Sequence, residues 1–235
     1  MERDWTSELE AYLQIKFAKL CEAIGQSVPL AGLRISPPLA AEESKYFLLG
    51  LEEGLFRPDE EGYVQSALLP PTSAGNTKQK ICQIFWHNPP PPRLFREGIC
   101  RLATASSLIL KRGWLRSQIR LESREGSVPT HGADILVNSL AGKLLVAIVV
   151  KRSVAELEKL VADLRACSKR GAHAKDDCGF PQNHPNYEFC ASFQPPYLWA
   201  VAPGAEICLS INYHGREIEI DRLPSLPARS MIDSR

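Results

Sequence analysis

The stretch HGADILVNSLAGKLLVAIVVKRS, residues 131–153, decides the fold. It contains two apolar runs, Ala133–Val137 and Leu144–Val150, separated by a connection that carries asparagine and glycine. Both runs are rich in β-branched residues, and this combination predicts a β-hairpin. Asp134 opens the first strand, and Lys151 closes the second.

Two registers of this hairpin are open from the sequence. A tight turn at residues 141–142 places Asp134 opposite Val149, whereas a looser turn centred on Leu140 places it opposite Val146. We favour the tight turn, because its glycine tolerates the positive φ that such turns require. Val149 and Lys151 share a face of the second strand, because side chains two residues apart point to the same side. With Asp134 opposite Val149, the Asp134 carboxylate and the Lys151 ammonium then converge at one end of the hairpin.

This pattern resembles that of the PD-(D/E)XK nuclease superfamily, the restriction-endonuclease-like fold. In that family an aspartate on one strand and an acid-x-lysine tripeptide on the next hold a divalent metal beside the scissile phosphate. Asp134 matches the aspartate, and Val149-Val150-Lys151 occupies the tripeptide. Val149 stands where the family carries an acid, and valine offers no oxygen ligand to a hard cation.

The resemblance covers Arg93 to Leu226. It implies cleavage of DNA phosphodiester bonds with Mg²⁺ (or Mn²⁺), which activates water and stabilises charge on the phosphate. It also implies a catalytic site formed by Asp134, Val149 and Lys151, with Asp134 as a metal ligand. Because Val149 replaces an acid, we expect this activity to be weakened or lost unless another carboxylate takes over.

Two other carboxylates are candidates for that replacement. Glu97 precedes the strands, where several members of the superfamily carry an extra acid, and we take it as the second metal-ligand candidate. It is equally well explained as a solvated residue in the first turn of a helix, favoured there by the helix dipole. Glu156 begins the next helix, and its spacing from Ser153 favours a capping role.

The predicted fold class is α/β (α+β), with a mixed central β-sheet flanked by helices, as the resemblance implies for a restriction-endonuclease-like core. Apolar periodicity and turn residues predict the elements around the hairpin. The predicted helices are Trp5–Ile24, Ala40–Phe56, Arg93–Gly113 and Val154–Arg170, and the predicted strands are Trp114–Glu122, Tyr197–Val201, Ile207–Tyr213 and Glu217–Ile220. Residues 172–186 are predicted to be an irregular loop.

The prolines at 89–92 form a stiff spacer and mark the predicted domain boundary. Residues 1–90 are therefore interpreted as a mainly helical N-terminal accessory segment, and residues 91–235 as the nuclease-like domain. No apolar run approaches the length of a membrane helix, so no membrane partner is expected.

The net charge of +1 hides an uneven distribution of charged residues. Basic residues crowd segments 93–124 and 151–175, whereas many acids lie in segment 42–61. Such a chain can present a basic face to nucleic acid, although charged helix faces are also ordinary. DNA is the expected partner, and a homodimer is left open. The residues expected to bind nucleic acid are Arg96, Arg101, Arg152 and Lys159.

The seven cysteines are odd in number and scattered, which favours reduced thiols and a cytoplasmic protein. Residues of zinc-binding type follow the hairpin, but their spacings are long and irregular and no Cys-x-x-Cys occurs, so the sequence does not favour zinc. They are Cys167, His173, Cys178, His184 and Cys190.

Two further functions compete with a weakened nuclease. One is a non-catalytic nucleic-acid-binding or assembly module that keeps the nuclease fold, and the other is a protein-interaction domain. Salt-sensitive DNA binding separates these two, because phosphate contacts release counterions.

Overall fold

The computed structural model describes residues 3–68, 83–86, 90–121, 132–170, 173, 175, 177–215 and 217–233. Within those ranges the chain is mixed α/β, with six helices and a six-stranded mixed sheet. This confirms the prediction of a mixed α/β chain with a mixed β-sheet. No helix among the described residues is both long enough and apolar enough to cross a bilayer.

The central sheet is assembled from the second half of the chain. Its strands are β5 (Ile119–Leu121), β6 (Ile135–Asn138), β7 (Leu144–Val150), β8 (Tyr197–Ala202), β9 (Ala205–His214) and β10 (Glu217–Leu223). They lie in the order β10-β9-β8-β7-β6-β5, and every neighbouring pair is antiparallel except β7 and β8. The parallel pair places the helices that follow β7 over the sheet, because parallel strands need a crossover connection.

Strands β6 and β7 form the predicted hairpin. Ile135 pairs with Ile148, which is the register that the tight turn predicts; Asp134 itself precedes β6, and its N–H donates to the Ile148 carbonyl. The turn itself differs from the prediction. The Gly142 N–H donates to the Ser139 carbonyl at 2.9 Å with φ +83° at Gly142, and the register shifts just after Val137. This irregularity compensates for the longer connection.

The remaining elements surround this sheet. The helices are α1 (Trp5–Ala23), α2 (Ala41–Glu52), α3 (Arg96–Leu110), α4 (Val154–Arg170), α5 (His184–Phe193) and α6 (Arg229–Asp233), with a 3-10 turn at Arg116–Gln118. Short strand pairs are β1 (Phe56–Pro58) with β2 (Val64–Ser66), and β3 (Phe85–Trp86) with β4 (Arg93–Leu94).

Two apolar layers cover the two faces of the sheet. Val146, Ile148 and Val150 pack in one cluster with residues of α1, α2 and α3. Ala147 and Val149 point the other way and pack in a second cluster with residues of α4 and α5. This alternation is what a central strand buried on both faces requires.

The N-terminal segment shares the first cluster with the sheet rather than forming a core of its own. Phe17 and Phe47 belong to the same cluster as Leu102 and Ile148. Helices α2 and α3 approach closely at Gly50, where a Cβ would lie 2.1 Å from Ser106 Oγ. The buried Arg96 guanidinium pairs with Glu43 of α2 at 2.7 Å, so a charged contact also joins residues 1–90 to residues 91–235.

The predicted helices and strands exist, with shifted ends. Helix α1 begins at Trp5, as predicted, and Asp4 is its N-cap, because the Asp4 carboxylate accepts the Ser7 N–H at 3.1 Å. Helix α5 begins at His184, so it includes the last three residues of the segment 172–186 that was predicted to be irregular. Pro185 occupies the first turn of α5, where proline is tolerated because that N–H needs no helical partner.

Helix α4 also closes part of the outer edge of the sheet at β10. The Ser168 hydroxyl donates to the Ile218 carbonyl at 2.8 Å and accepts the Ile218 N–H at 2.7 Å. One residue of the edge strand thereby has both of its backbone groups satisfied by a helix side chain.

Candidate functional site at the end of the hairpin

Asp134 is buried at the open end of the hairpin, with 7% of its surface exposed. Its N–H donates to the Ile148 carbonyl, and its Oδ2 accepts the Val150 N–H, both at 2.7 Å. Its Oδ1 forms an ion pair with the Arg101 guanidinium, which reaches it from α3 and is 1% exposed. A cationic side chain therefore occupies the position beside Asp134 that a metal ion would need.

Val149 lies in the apolar layer on the opposite side from Arg101. It is 2% exposed and packs in the cluster that contains Leu157, Leu160 and Ala200. Its side chain supplies neither an oxygen ligand nor a charge, so the tripeptide position that carries an acid in the resembled family is part of the core here.

Lys151, the catalytic lysine candidate, belongs to a polar network. Its Nζ donates to Asn183 Oδ1 at 2.9 Å, and Asn183 Nδ2 donates to Asp163 Oδ2 at 2.8 Å. Lys159 Nζ donates to the same Asp163 oxygen at 2.7 Å. Two ammonium groups, one buried carboxylate and one amide thus join β7, α4 and the start of α5. Nothing in the sequence pairs Lys151 with Asn183 or Asp163.

Glu97 and Glu156 both approach the residue after Lys151. Arg152 lies 3.8 Å from a Glu97 oxygen and 2.7 Å from a Glu156 oxygen. Glu97 and Arg101 are one turn apart on α3, so they share the face of that helix that looks onto the hairpin end. Glu97 is 9% exposed, which does not fit the solvated first-turn explanation.

Glu156 combines a capping role with a side-chain ion pair. Its N–H donates to the Ser153 hydroxyl at 3.3 Å, and its carboxylate accepts the Arg152 N–H at 3.2 Å. Burial raises the pKa of Glu156, but the hydrogen bonds from the Arg152 side chain and backbone outweigh it and hold the pKa below its ordinary value. The carboxylate is therefore ionised and engaged with Arg152.

The four residues expected to bind nucleic acid divide into two pairs. Arg96 and Arg101 are buried in ion pairs with Glu43 and Asp134, so a surface role does not fit their positions. Arg152 and Lys159 have side chains 69% and 52% exposed and form ion pairs on the surface of α4 and the residues before it. Arg124, at the end of the basic segment 93–124, lies outside the described residues.

A second group of candidate functional residues lies at the far end of α4. The ligand atoms of Cys167, His173, Cys178 and His184 all lie within 4.8 Å of one another. Cys167 comes from the last turns of α4, His184 from the first turn of α5, and the other two from the connection between them. Cys190 is fully buried and is not part of this group.

The two thiols of this group are unequal. Burial raises the pKa of Cys167 to about 12, with the hydrogen bond to Cys178 adding to the effect. Burial also acts to raise the pKa of Cys178, but hydrogen bonds from His173, the Phe180 N–H and Cys167 outweigh it and lower the pKa. A thiolate is therefore favoured first at Cys178, and the thiolate is the form that binds metals.

Comparisons of the chain with protein-family models, with curated proteins and with solved structures gave no match.

Proposed function

We propose that the chain is a nucleic-acid-binding module built on a restriction-endonuclease-like core, and that it does not cleave phosphodiester bonds with the residues it carries. The order of elements supports such a core: α3 precedes β5, β6 and β7, which pair antiparallel, and α4 then leads to β8, which pairs parallel to β7. This is the order that the resemblance led us to expect.

The observation that carries the loss of cleavage is the ion pair between Arg101 and Asp134. A Mg²⁺ site uses one or two carboxylates together with water and phosphate oxygens. Asp134 already has a guanidinium and a backbone N–H as partners, and Val149 adds no second carboxylate beside it. A divalent ion would have to displace Arg101 from a buried position and leave that charge without Asp134.

The binding function is supported by the exposed basic surface of α4. Arg165 and Lys169 lie four residues apart on one face of the helix, and the exposed Arg170 follows them. Among the described residues, neither Arg165 nor Lys169 forms an ion pair. Cations that are held on a helix and not neutralised by neighbours are suited to phosphate contacts, which supply most of the affinity in nonspecific binding.

The experiment compares two variants with the same change in charge. Binding of a labelled DNA duplex is measured by fluorescence anisotropy at low and moderate salt, for Arg165→Glu/Lys169→Glu and for Lys19→Glu/Arg34→Glu. Lys19 and Arg34 are equally exposed but belong to the N-terminal segment. We expect the α4 variant to bind more weakly and to lower the slope of log affinity against log salt by about 2, because two phosphate contacts are lost. Undetectable binding at low salt, or equal losses in both variants, would reject the α4 surface.

Mg²⁺-dependent cleavage is the second candidate, and one observation favours it. Glu97, Asp134 and Lys151 approach the same end of β7, because Glu97 contacts Arg152 and shares a helix face with Arg101. Under this alternative, Val149→Glu gives or increases cleavage of DNA with Mg²⁺ or Mn²⁺, and adding Asp134→Ala removes it. Under our proposal, the chain with Val149 cleaves no nucleic acid.

A further inference from the structure

We propose that Cys167, His173, Cys178 and His184 bind one zinc ion in a closed, four-coordinate structural site. Two cysteines and two histidines form one of the standard ligand sets of structural zinc sites. This inference does not depend on nucleic-acid binding, and its test uses no nucleic acid.

The distances fit the ion. Zinc–sulfur bonds of about 2.3 Å and zinc–nitrogen bonds of about 2.0–2.1 Å give ligand–ligand separations of about 3.3–3.8 Å in a tetrahedron. The two sulfur atoms, Sγ of Cys167 and Sγ of Cys178, are 3.4 Å apart, and no pair of the four ligand atoms is more than 4.8 Å apart. To complete the coordination shell, the sulfur pair widens by about 0.4 Å and the most distant pairs close by up to about 1.5 Å.

His184 provides a second, independent observation. Its Nδ1 is buried and has no hydrogen-bond partner among the described residues, which is costly for a buried polar atom. Its Nε2 lies 3.8 Å from a Glu188 carboxylate oxygen. Zinc-binding histidines commonly have one ring nitrogen on the metal and the other directed at a carboxylate. Nδ1 is thus the ligand atom, and the Glu188 carboxylate lies on the side of the other ring nitrogen.

The charges also balance. Two thiolates and two neutral imidazoles compensate the two positive charges of zinc, so the loaded site is neutral and can remain buried. Cys167, Cys178 and His184 are 0%, 7% and 4% exposed, respectively. With all four positions taken by protein, the site has no open position for water, which separates a structural site from a catalytic one.

The site would tie together the segments that hold the polar network at Lys151. It fastens the end of α4 to the start of α5, and Asn183 is the residue directly before the ligand His184. Binding to the folded state alone stabilises that state by mass action. Loading the site should therefore stabilise the whole fold and keep Asn183 in reach of Lys151.

The first experiment measures metal content of the full chain, expressed with zinc and purified under reducing conditions. We expect about one zinc ion per chain by elemental analysis, and less than about 0.1 for Cys178→Ala and for His184→Ala. Cys190→Ala is the matched control, since Cys190 is equally buried but outside the group, and it should keep the ion. Wild-type protein without zinc after reconstitution, or Cys178→Ala with full zinc, would overturn the proposal.

A second measurement does not depend on variants that fold. Removal of the ion from wild-type protein with EDTA should lower the unfolding temperature, and re-addition should restore it. The shift should be about 8–16 °C at free zinc about 1,000 times Kd. Cobalt(II) added to the stripped protein should give the visible absorption of a tetrahedral site with thiolate ligands. An octahedral spectrum, no thermal shift, or a mass lower by two hydrogens that marks a Cys167–Cys178 disulfide would each reject it.

Discussion

Lys151 Nζ donates a hydrogen bond to Asn183 Oδ1 at 2.9 Å, and Asn183 directly precedes His184. Asn183 thus links the two places: its side chain bonds Lys151 at the end of the hairpin, and its backbone leads directly to His184 of the Cys/His group. We expect a substitution at Lys151 or in the Cys/His group to change the position of the other through the Asn183 side chain and backbone.

Replacement of Asn183 tests that connection. Asn183→Ala removes hydrogen bonds to Lys151 and Asp163 and leaves buried polar groups with fewer partners. We expect a loss of about 2 kcal/mol in the free energy of unfolding, measured by urea denaturation. Gln182→Ala, at the exposed neighbouring position, should change it by less than about 0.5 kcal/mol. Equal effects of both variants would show that the amide is not a structural link.

The ion pair of Arg101 should behave as a buried pair. Arg101→Met leaves the Asp134 carboxylate buried without its cation, and we expect a loss of about 3–5 kcal/mol in unfolding free energy. Adding Asp134→Asn to Arg101→Met should recover part of that loss, because the uncompensated charge is gone. Arg165→Met is the exposed control. A double variant less stable than Arg101→Met would show that the unpaired Asp134 charge does not destabilise the single variant, which contradicts the prediction.

Substitution of Val149 tests whether the altered motif position is buried among apolar side chains. Val149→Glu places a carboxylate among apolar side chains, and we expect a loss of about 3 kcal/mol at neutral pH. Burial raises the folded-state pKa of such a carboxyl above its unfolded value of about 4.3. The loss in unfolding free energy therefore shrinks as the pH falls through the folded-state pKa towards the unfolded value of about 4.3, because the carboxyl is then protonated in both the folded and the unfolded state.

Val149→Gln is the matched control for the pH effect. Glutamine has the same shape and does not titrate, so the difference in unfolding free energy between the glutamate and glutamine variants should narrow on acidification. A difference that stays constant between neutral and acidic pH would mean that the position is solvated.

Two neighbouring glutamates on α2 provide a sharp comparison. Glu43 is buried and pairs with Arg96, whereas Glu42 is exposed and pairs with Lys111 at 2.6 Å. Glu43→Ala should cost about 3–5 kcal/mol in unfolding free energy, and Glu42→Ala less than about 1 kcal/mol. Thermal and urea unfolding measure both. Similar costs would contradict the buried contact between the N-terminal segment and α3.

The hairpin could be predicted from sequence because its signal is local. The two apolar runs and the glycine between them indicate the pairing of β6 with β7, in which Ile135 lies opposite Ile148. The detail of the turn could not be predicted, since a register shift and a longer connection give the same pairing over most of the hairpin as a tight turn.

The partners of the site residues are not local, and the sequence does not show them. Arg101 lies 33 residues before Asp134, and nothing in either neighbourhood pairs them. That the Cys/His residues come together could not be predicted for a similar reason. These residues come from the end of α4, the start of α5 and the connection between them. Their spacing along the chain is therefore set by how α4 packs against α5, and it does not form a short motif.

The outer edge of β10 bears on how copies of the chain can meet. Glu217, Glu219 and Asp221 are exposed on one face of this strand, and the Ser168 hydroxyl occupies the edge groups of Ile218. A second copy adding antiparallel about Glu219 would set Glu219 against Glu219 and Glu217 against Asp221, and like charges directly opposite are destabilising. Growth of the sheet by strand addition is therefore disfavoured at β10 in this register.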